Sequence, residues 1–340
     1  MARSDPTLRQ IASTLGLHYS TVSRVLNGTE EQAAAAAGAA TQQRIRAAAD
    51  EIGYSPDPLG RGLRTHRSAL IGVLVPQLRD PAIAAIYEGI QTAANHAGYY
   101  TLVTNTFEDP ATHRLQLRGL LERRVDALIL ADTRIDSDFD ELVRREVPFV
   151  LVNRPHPGVP SITVDDYEDG RLAAQHLLDV GCRDIAILTG PEYARTSLDR
   201  AAGARDALAA AGRPVPDERV LYRAYDAPGG RRAATELLRQ GGDPPDGIFV
   251  ASDGGAIGAM AALRERGLQV PADVALVGFS DLDFAADLPV PLTTVRSPMQ
   301  EMGADGAHAV LELLGGGAPE TRRLEPALIV RESTRRAKGI

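Results

Sequence analysis

The sequence predicts an N-terminal all-α helix-turn-helix domain (1–54), a hinge helix within a linker (55–68), and two doubly wound α/β lobes (69–340). Three observations lead there. Apolar residues recur at helical spacing through the first 54 positions, and a Pro- and Gly-rich stretch, "SPDPLGRGLRTHRS", follows. From Ala69 onward short continuous apolar runs alternate with helical segments in two successive series.

In the head, Leu8, Ile11, Ala12 and Leu15 mark a helix that Gly16 stops. Val22, Val25 and Leu26 mark a second, ending at Asn27-Gly28. Thr41 is positioned to cap a third, whose inner positions are Ile45, Ala48, Ala49 and Ile52, closed by Gly53. Helix, tight turn, helix, loop and helix in about 50 residues is the helix-turn-helix arrangement. In the linker, Asp57 caps a short helix and Pro58 suits its first turn.

The runs "ALIGVLVP" (69–76), "YTLVTNT" (100–106), "VDALILAD" (125–132) and "PFVLVN" (148–153) read as parallel strands buried on both faces. Helices fall between them, for example over 83–97 and 111–123. After Asp165-Asp166 a second set begins with "RDIAILTG" (183–190), "RVLYRAY" (219–225), "DGIFVAS" (246–252) and "DVALVGFSD" (273–281). The first lobe is expected at about 69–164 and 296–325, the second at about 165–292 and 326–340. Ligands of such sheets bind at the carboxyl ends of the strands, here in the cleft between lobes.

Composition narrows the function classes. The 340 residues are 44% hydrophobic but only 4% aromatic, with no Trp, so Ala, Leu, Val and Ile must fill the cores. The net charge of −8 argues against nucleic-acid binding by the chain as a whole. Residues 1–68, however, hold 8 Arg and 6 acids, while the remaining 272 hold 29 Lys and Arg against 39 acids. Nucleic-acid contact is therefore expected at the N-terminus alone. Cys182 is the only cysteine, which excludes an internal disulfide and a CxxC site. The N-terminus has no apolar core of a signal peptide, and no apolar run reaches membrane-span length, so a cytoplasmic protein without membrane contact is expected. No P-loop, HExxH, G-x-S-x-G or G-x-G-x-x-G motif is found, and no cofactor is expected. The glycines of "SDGGAIGA" (252–259) read as close helix–sheet packing rather than a phosphate cradle.

"HYSTVSRVLNG" (18–28) raises a sharper question. Tyr19 and Ser23 lie four apart, as do Ser20 and Arg24, so they share one helix face opposite Val22 and Leu26. In a second helix of a helix-turn-helix pair, such a face lies in the major groove. Tyr19 and Ser20 are the base-reading candidates, Arg24 a guanine or phosphate contact, and Thr21 and Ser23 phosphate contacts.

"TLRQIASTLGLHYSTVSRVLNG", "EIGYSPDPLGRGLRTHRSALIGVLVP", "GRLAAQHLLDVGCRDIAILTGP", "FVASDGGAIGAMAALRERGLQVPADVALVGFSD" and "PLTTVRSPMQEMG" together resemble the LacI/GalR family of bacterial transcriptional regulators. The resemblance spans essentially the whole chain. It implies a repressor that binds a pseudo-palindromic operator as a homodimer, with a core like that of periplasmic sugar-binding proteins whose effector controls DNA affinity. It matches Leu63 to a leucine that wedges into the minor groove. The expected DNA contacts are thus Thr7, Tyr19, Ser20, Thr21, Ser23, Arg24, Asn27, Leu63 and Arg64.

The chain departs from the family pattern in places. His18 stands where a small capping residue is usual. "TEEQAAAAAGAA" lengthens the connection after Gly28, either extending a neighbouring helix or remaining mobile, rather than serving as an interaction element. Gly60 replaces a usual alanine and Gly62 follows; each Gly costs ~1 kcal/mol of helix stability, so the hinge is expected to order only on DNA.

In the cleft, the often aromatic positions are Ala82 and Ile83. The familiar arginine matches Leu198, leaving Arg195 as the candidate. The familiar aspartate is Ser280, with Asp281 beside it, and an often aromatic loop position is Asp226. Asn153 and Asp165 match polar cleft and crossover positions. With Ser252 these form the expected effector set, and Arg195, Asp226 and Asp281 are expected to face one ligand, with Tyr225 as an aromatic face.

A solute-binding receptor of periplasmic type would explain the lobes but not residues 1–68. An enzyme acting on a sugar phosphate would need a nucleophile–base or metal constellation that the sequence does not display.

Overall fold

A computed structural model describes residues 6–28, 30–54, 67–223, 225–239 and 243–335. The chain divides into two compact units, Met1–Ala69 and Leu70–Ile340. The linker features Asp57, Pro58, Gly60, Gly62, Leu63 and Arg64 lie outside the described residues.

In the first unit, α1 (Leu8–Leu15) opens with a capping box. The Thr7 side chain accepts from the Gln10 backbone N–H, and the Gln10 side chain accepts from that of Thr7. Gly16 at φ 65° closes it. The helix α2 (Tyr19–Asn27) is capped by His18, whose Nδ1 accepts from the Ser20 N–H at 3.3 Å.

The Ala-rich connection neither extends a neighbour nor stays irregular: it forms its own helix, α3 (Glu30–Ala36). Ala33 packs into the head's core beside Val22, Val25 and Ile45, and the Gln42 side-chain amide donates to the carbonyls of Ala33 and Ala37. The next helix, α4 (Ala39–Ile52), therefore starts earlier than expected. Gly38 is its N-cap, with no side-chain cap bond, and Thr41 sits inside it.

The second unit holds two six-stranded sheets. Its elements run β1 (Leu70–Val75), α5 (Pro81–His96), β2 (Tyr100–Asn105), α6 (Pro110–Glu122), β3 (Ala127–Leu130), α7 (Asp140–Arg144), β4 (Phe149–Val152) and β5 (Ser161–Val164). Then come α8 (Asp166–Asp179), β6 (Ile185–Thr189), α9 (Arg195–Ala210), β7 (Val220–Tyr222), α10 (Ala227–Leu237), β8 (Gly247–Val250), α11 (Asp253–Glu265) and β9 (Ala275–Ser280). The chain ends through β10 (Thr293–Arg296), α12 (Met299–Leu314), β11 (Arg322–Leu324) and β12 (Ala327–Ile329).

The sheet orders are β11-β5-β4-β3-β1-β2 and β12-β10-β9-β8-β6-β7, parallel throughout except for β10 against β12. The chain crosses between them three times: after β5, after β10, and between β11 and β12. All three crossings start from strands at one side of each sheet, so the opposite sides carry no covalent link.

Three helix pairs cross through reciprocal glycines. A Cβ on Gly303 would lie 1.9 Å from the Ile86 carbonyl, and one on Gly89 would lie 2.1 Å from that of Gln300, where α12 meets α5. Gly170 with Gly203 joins α8 to α9 in the same way, and Gly230 with Gly258 joins α10 to α11. The packing expected of "SDGGAIGA" is thus helix on helix at Gly258, while Gly255 faces Val250 of the sheet.

Candidate functional site

The strand ends of the two lobes enclose a cavity of about 440 Å³. Its wall is built around helix N-termini, as a doubly wound topology requires. Asp80 caps α5, accepting from the Ala82 N–H, and burial raises its pKa. Asp226 caps α10 and Ser252 caps α11. The Ser252 hydroxyl also donates to the Tyr225 carbonyl at 2.6 Å.

Two buried arginines form the charged floor. Arg200 donates from Nε to Asp166 at 2.9 Å and from Nη1 to the Ala251 carbonyl at 3.0 Å, with Asp169 3.7 Å away. Its guanidinium lies 3.5 Å over the Phe279 ring. Burial pushes the Asp166 carboxyl up to about 6 even beside this cation, and burial also raises Asp169 well above the usual carboxylate range.

Arg154 makes a two-pronged bond to Glu108 at 2.8 and 3.0 Å. Burial disfavours its charge, but the Glu108 carboxylate outweighs that and raises its pKa. Its Nε–H is buried without a hydrogen-bond partner and belongs to a cavity-lining side chain. The Tyr225 phenol is held by the Thr196 and Ser197 hydroxyls at 2.8 and 2.6 Å. Its ring occupies the space where a Cβ on Gly190 would stand.

Strain gathers at the same place. Of eight non-glycine residues with positive φ among those described, Glu108, Asn153 and Ser280 line the cavity, and Phe107 and Asp281 adjoin them. Each such conformation costs on the order of 1–3 kcal/mol and persists where surrounding structure enforces it.

Of the expected effector set, Ala82, Ile83, Asn153, Asp226, Ser252 and Ser280 line the cavity. Arg195, Asp165 and Asp281 do not. Arg195 is exposed and paired with Asp199, one turn along α9. Asp165 is the N-cap of α8, accepting from the Glu168 N–H. Asp281 is clasped by Arg296 and Arg331 at 2.7 and 2.6 Å.

In the head, Tyr19 and Arg24 are exposed while Ser20, Thr21, Ser23 and Asn27 are half-buried. The Ser20 hydroxyl is 2.7 Å from His18 Nδ1. Thr7 is committed to its capping box. Leu63 and Arg64 lie outside the described residues.

Residues 7–57 match the family model "Bacterial regulatory proteins, lacI family", and residues 68–331 match "Periplasmic binding proteins and sugar binding domain of LacI family". The chain belongs to the LacI family. Among the relatives it is similar to is an uncharacterized HTH-type transcriptional regulator in the aml 5' region of Streptomyces limosus. They are 34% identical over 97% of this chain and 94% of that one. The structure is similar to a transcriptional regulator CelR–cellobiose complex (TM-score 0.73, 31% identity, 96% of this chain and 99% of that one). It is also similar to the Lac repressor dimer bound to operator and the anti-inducer ONPF (TM-score 0.84, 27% identity, 97% and 99%). This LacI-family chain is a DNA-binding transcriptional regulator with a helix-turn-helix head and a two-lobed periplasmic-binding-protein-like core.

Reading the loop position by position missed Arg200. Its signal lay in helical spacing: Thr196, Arg200 and Ala204 recur every four residues on the buried face of α9, whereas Arg195 and Asp199 share the outer face. Arg154 and Glu108 were missed because their pairing joins loops after β4 and β2, which local sequence does not relate.

Proposed function

We propose that this LacI-family regulator is a repressor that binds a pseudo-palindromic operator as a homodimer, its affinity set by a small, uncharged polar effector held between the lobes. The observation that carries the reading is that one chain joins a polar recognition face to a cavity of about 440 Å³ whose buried charges are already compensated. Arg200 is matched by Asp166 and Arg154 by Glu108. An anionic ligand would leave one of those acids unpaired, at a cost of several kcal/mol for a buried charge. The uncommitted Arg154 Nε–H and the cavity-lining side chains of Asn153 and Gln77 suit hydroxyl or carbonyl oxygens, and Tyr225 and Phe279 offer apolar ring faces.

The effector-bound relatives point the same way: one carries cellobiose, and the Lac repressor neighbour carries ONPF on a dimer at its operator. Exposed Tyr100, Phe107 and Leu115, 72%, 62% and 65% accessible, lie on or beside the free edge of β2 and suit a second copy. Operator contacts are assigned to Tyr19, Ser20 and Arg24 at bases and to Thr7, Thr21, Ser23 and Asn27 at phosphates.

No helix among the described residues is long and apolar enough to cross a membrane. No catalytic step is assigned to the cleft: Asp80 and Asp226 cap helices, Glu108 pairs with Arg154, and Asp253 accepts hydrogen bonds from Thr294 and Leu282.

A gel shift with DNA from upstream of the protein's own gene tests the reading. Wild type should retard it, and Arg24→Ala should bind about 1–3 kcal/mol more weakly if the guanidinium grips a base. A phosphate contact would instead weaken all sequences alike and reduce the salt slope by about one. Absence of retardation by wild type at micromolar protein would contradict the assignment.

A further inference from the structure

Tyr193 joins the two lobes on the side where the chain does not cross. It stands in the loop after β6 of the second lobe, yet its nearest charged neighbours belong to the first. The Arg134 guanidinium lies 3.9 Å over the Tyr193 ring, and Arg134 Nε is steadied by Asp136 at 2.9 Å. The Ile135 N–H donates to the Tyr193 carbonyl at 2.9 Å, a backbone bond from lobe to lobe. Glu108, the partner of Arg154, lines the same cavity as Tyr193, and burial, with the charge of that carboxylate nearby, pushes the phenol's pKa up to about 12.

We propose that Tyr193 is the positioning residue that latches the lobes closed over the cavity, so that ligand exchange requires its ring to leave its place under Arg134. The topology supplies the reason. All three chain crossings sit at the β5/β11 and β10/β12 sides of the sheets, and Arg134 and Tyr193 come from loops after β3 and β6, nearer the unlinked sides. Two lobes hinged at one side need a closure opposite it. The only other ion pair found there among the described residues, Arg79 with Asp226, is 3.9 Å long with Arg79 76% exposed, and such a pair contributes little.

Cation–π stacking at a partly covered site and a backbone hydrogen bond from lobe to lobe are stronger fastenings. The latch also reaches the ligand site, because Tyr193 itself lines the cavity together with Arg154 and Glu108. The regulatory meaning of the latch rests on the cleft being the effector site, whereas the closure itself does not.

The experiment therefore uses neither DNA nor ligand. In the full chain labelled with ¹⁵N-isoleucine, amide exchange at Ile135 reports separation of the lobes, and Ile129 and Ile187, in β3 and β6, report the stability of each lobe. Arg134→Ala, which leaves the cavity wall intact, and Tyr193→Ala should speed Ile135 exchange at least tenfold with Ile129 and Ile187 unchanged. Tyr193→Phe, which keeps the ring under Arg134, should give a smaller acceleration than Tyr193→Ala. Unchanged Ile135 exchange in both alanine variants would overturn the latch, as would an Arg134→Ala effect spread equally over all three amides. Either result would leave the DNA-binding reading standing, since the gel shift tests that separately.

Discussion

Asp253 is fully buried at the start of α11, accepting from the Thr294 hydroxyl at 2.6 Å and the Leu282 N–H at 2.9 Å. Burial outweighs both bonds, and the Asp281 charge adds to it, raising the carboxyl from 3.8 to about 7. The folded chain thus keeps a proton that the unfolded chain has already lost. Stability should fall as pH rises from about 4 to about 7 and level off above. Asp166, raised to about 6, acts in the same direction. Asp253→Asn removes one of these contributions, so its melting temperature should drop less than that of wild type between pH 5 and pH 7.5. Equal drops would contradict the assignment. The sequence places Asp253 at a strand-to-helix turn but says nothing of its burial. Arg200 likewise became legible only through its helical face. Strand ends converging in this topology pointed to Asn153 and Asp226, which line the cavity, but also to Arg195 and Asp281, which do not, while Ser280 was singled out by the family resemblance.

At the level of elements, the expected α/β alternation matches the observed one wherever strands are continuous apolar runs. It missed β5 ("SITV"), β10 ("TTVR"), β11 ("RRL") and β12 ("ALI"), which are short and mostly interrupted by hydroxyl or charged residues. These strands lie at the crossing side of the sheets, where polar side chains find partners. The Thr293 hydroxyl, for example, bonds Thr334 and the Arg331 carbonyl.

The head's extra helix was not foreseen because alanine propensity is compatible with either outcome offered, and Gln42 settles it through a tertiary bond. The reciprocal glycines were equally silent, since a single glycine in a helix reads locally as a weakness. Gly303→Ala should destabilise the core by about 1–3 kcal/mol, because the obstructing atom is a backbone carbonyl that cannot swing aside. Gly119→Ala, where a Cβ meets nothing nearer than the Arg123 side chain at 3.5 Å, should be neutral or stabilise by up to about 1 kcal/mol. Melts that rank the two variants the other way would refute the helix-crossing argument.

For the whole molecule, a homodimer is predicted: sedimentation equilibrium at micromolar concentration should return twice the 36.2 kDa chain mass. A stable monomer would remove the basis for a pseudo-palindromic site. The central claim is that occupancy of the cleft and binding of the head to DNA are linked, and linkage is reciprocal. A ligand can be found by thermal shift against neutral sugars, polyols and nucleosides. Its effect on operator affinity, read by fluorescence anisotropy at fixed salt, tests the claim most directly. The account predicts a change of about 5–150-fold in DNA affinity, matched by the same factor in ligand affinity when DNA is present. A ligand that saturates the cleft, is lost with Arg200→Ala, and leaves the operator affinity of wild type unchanged would contradict it.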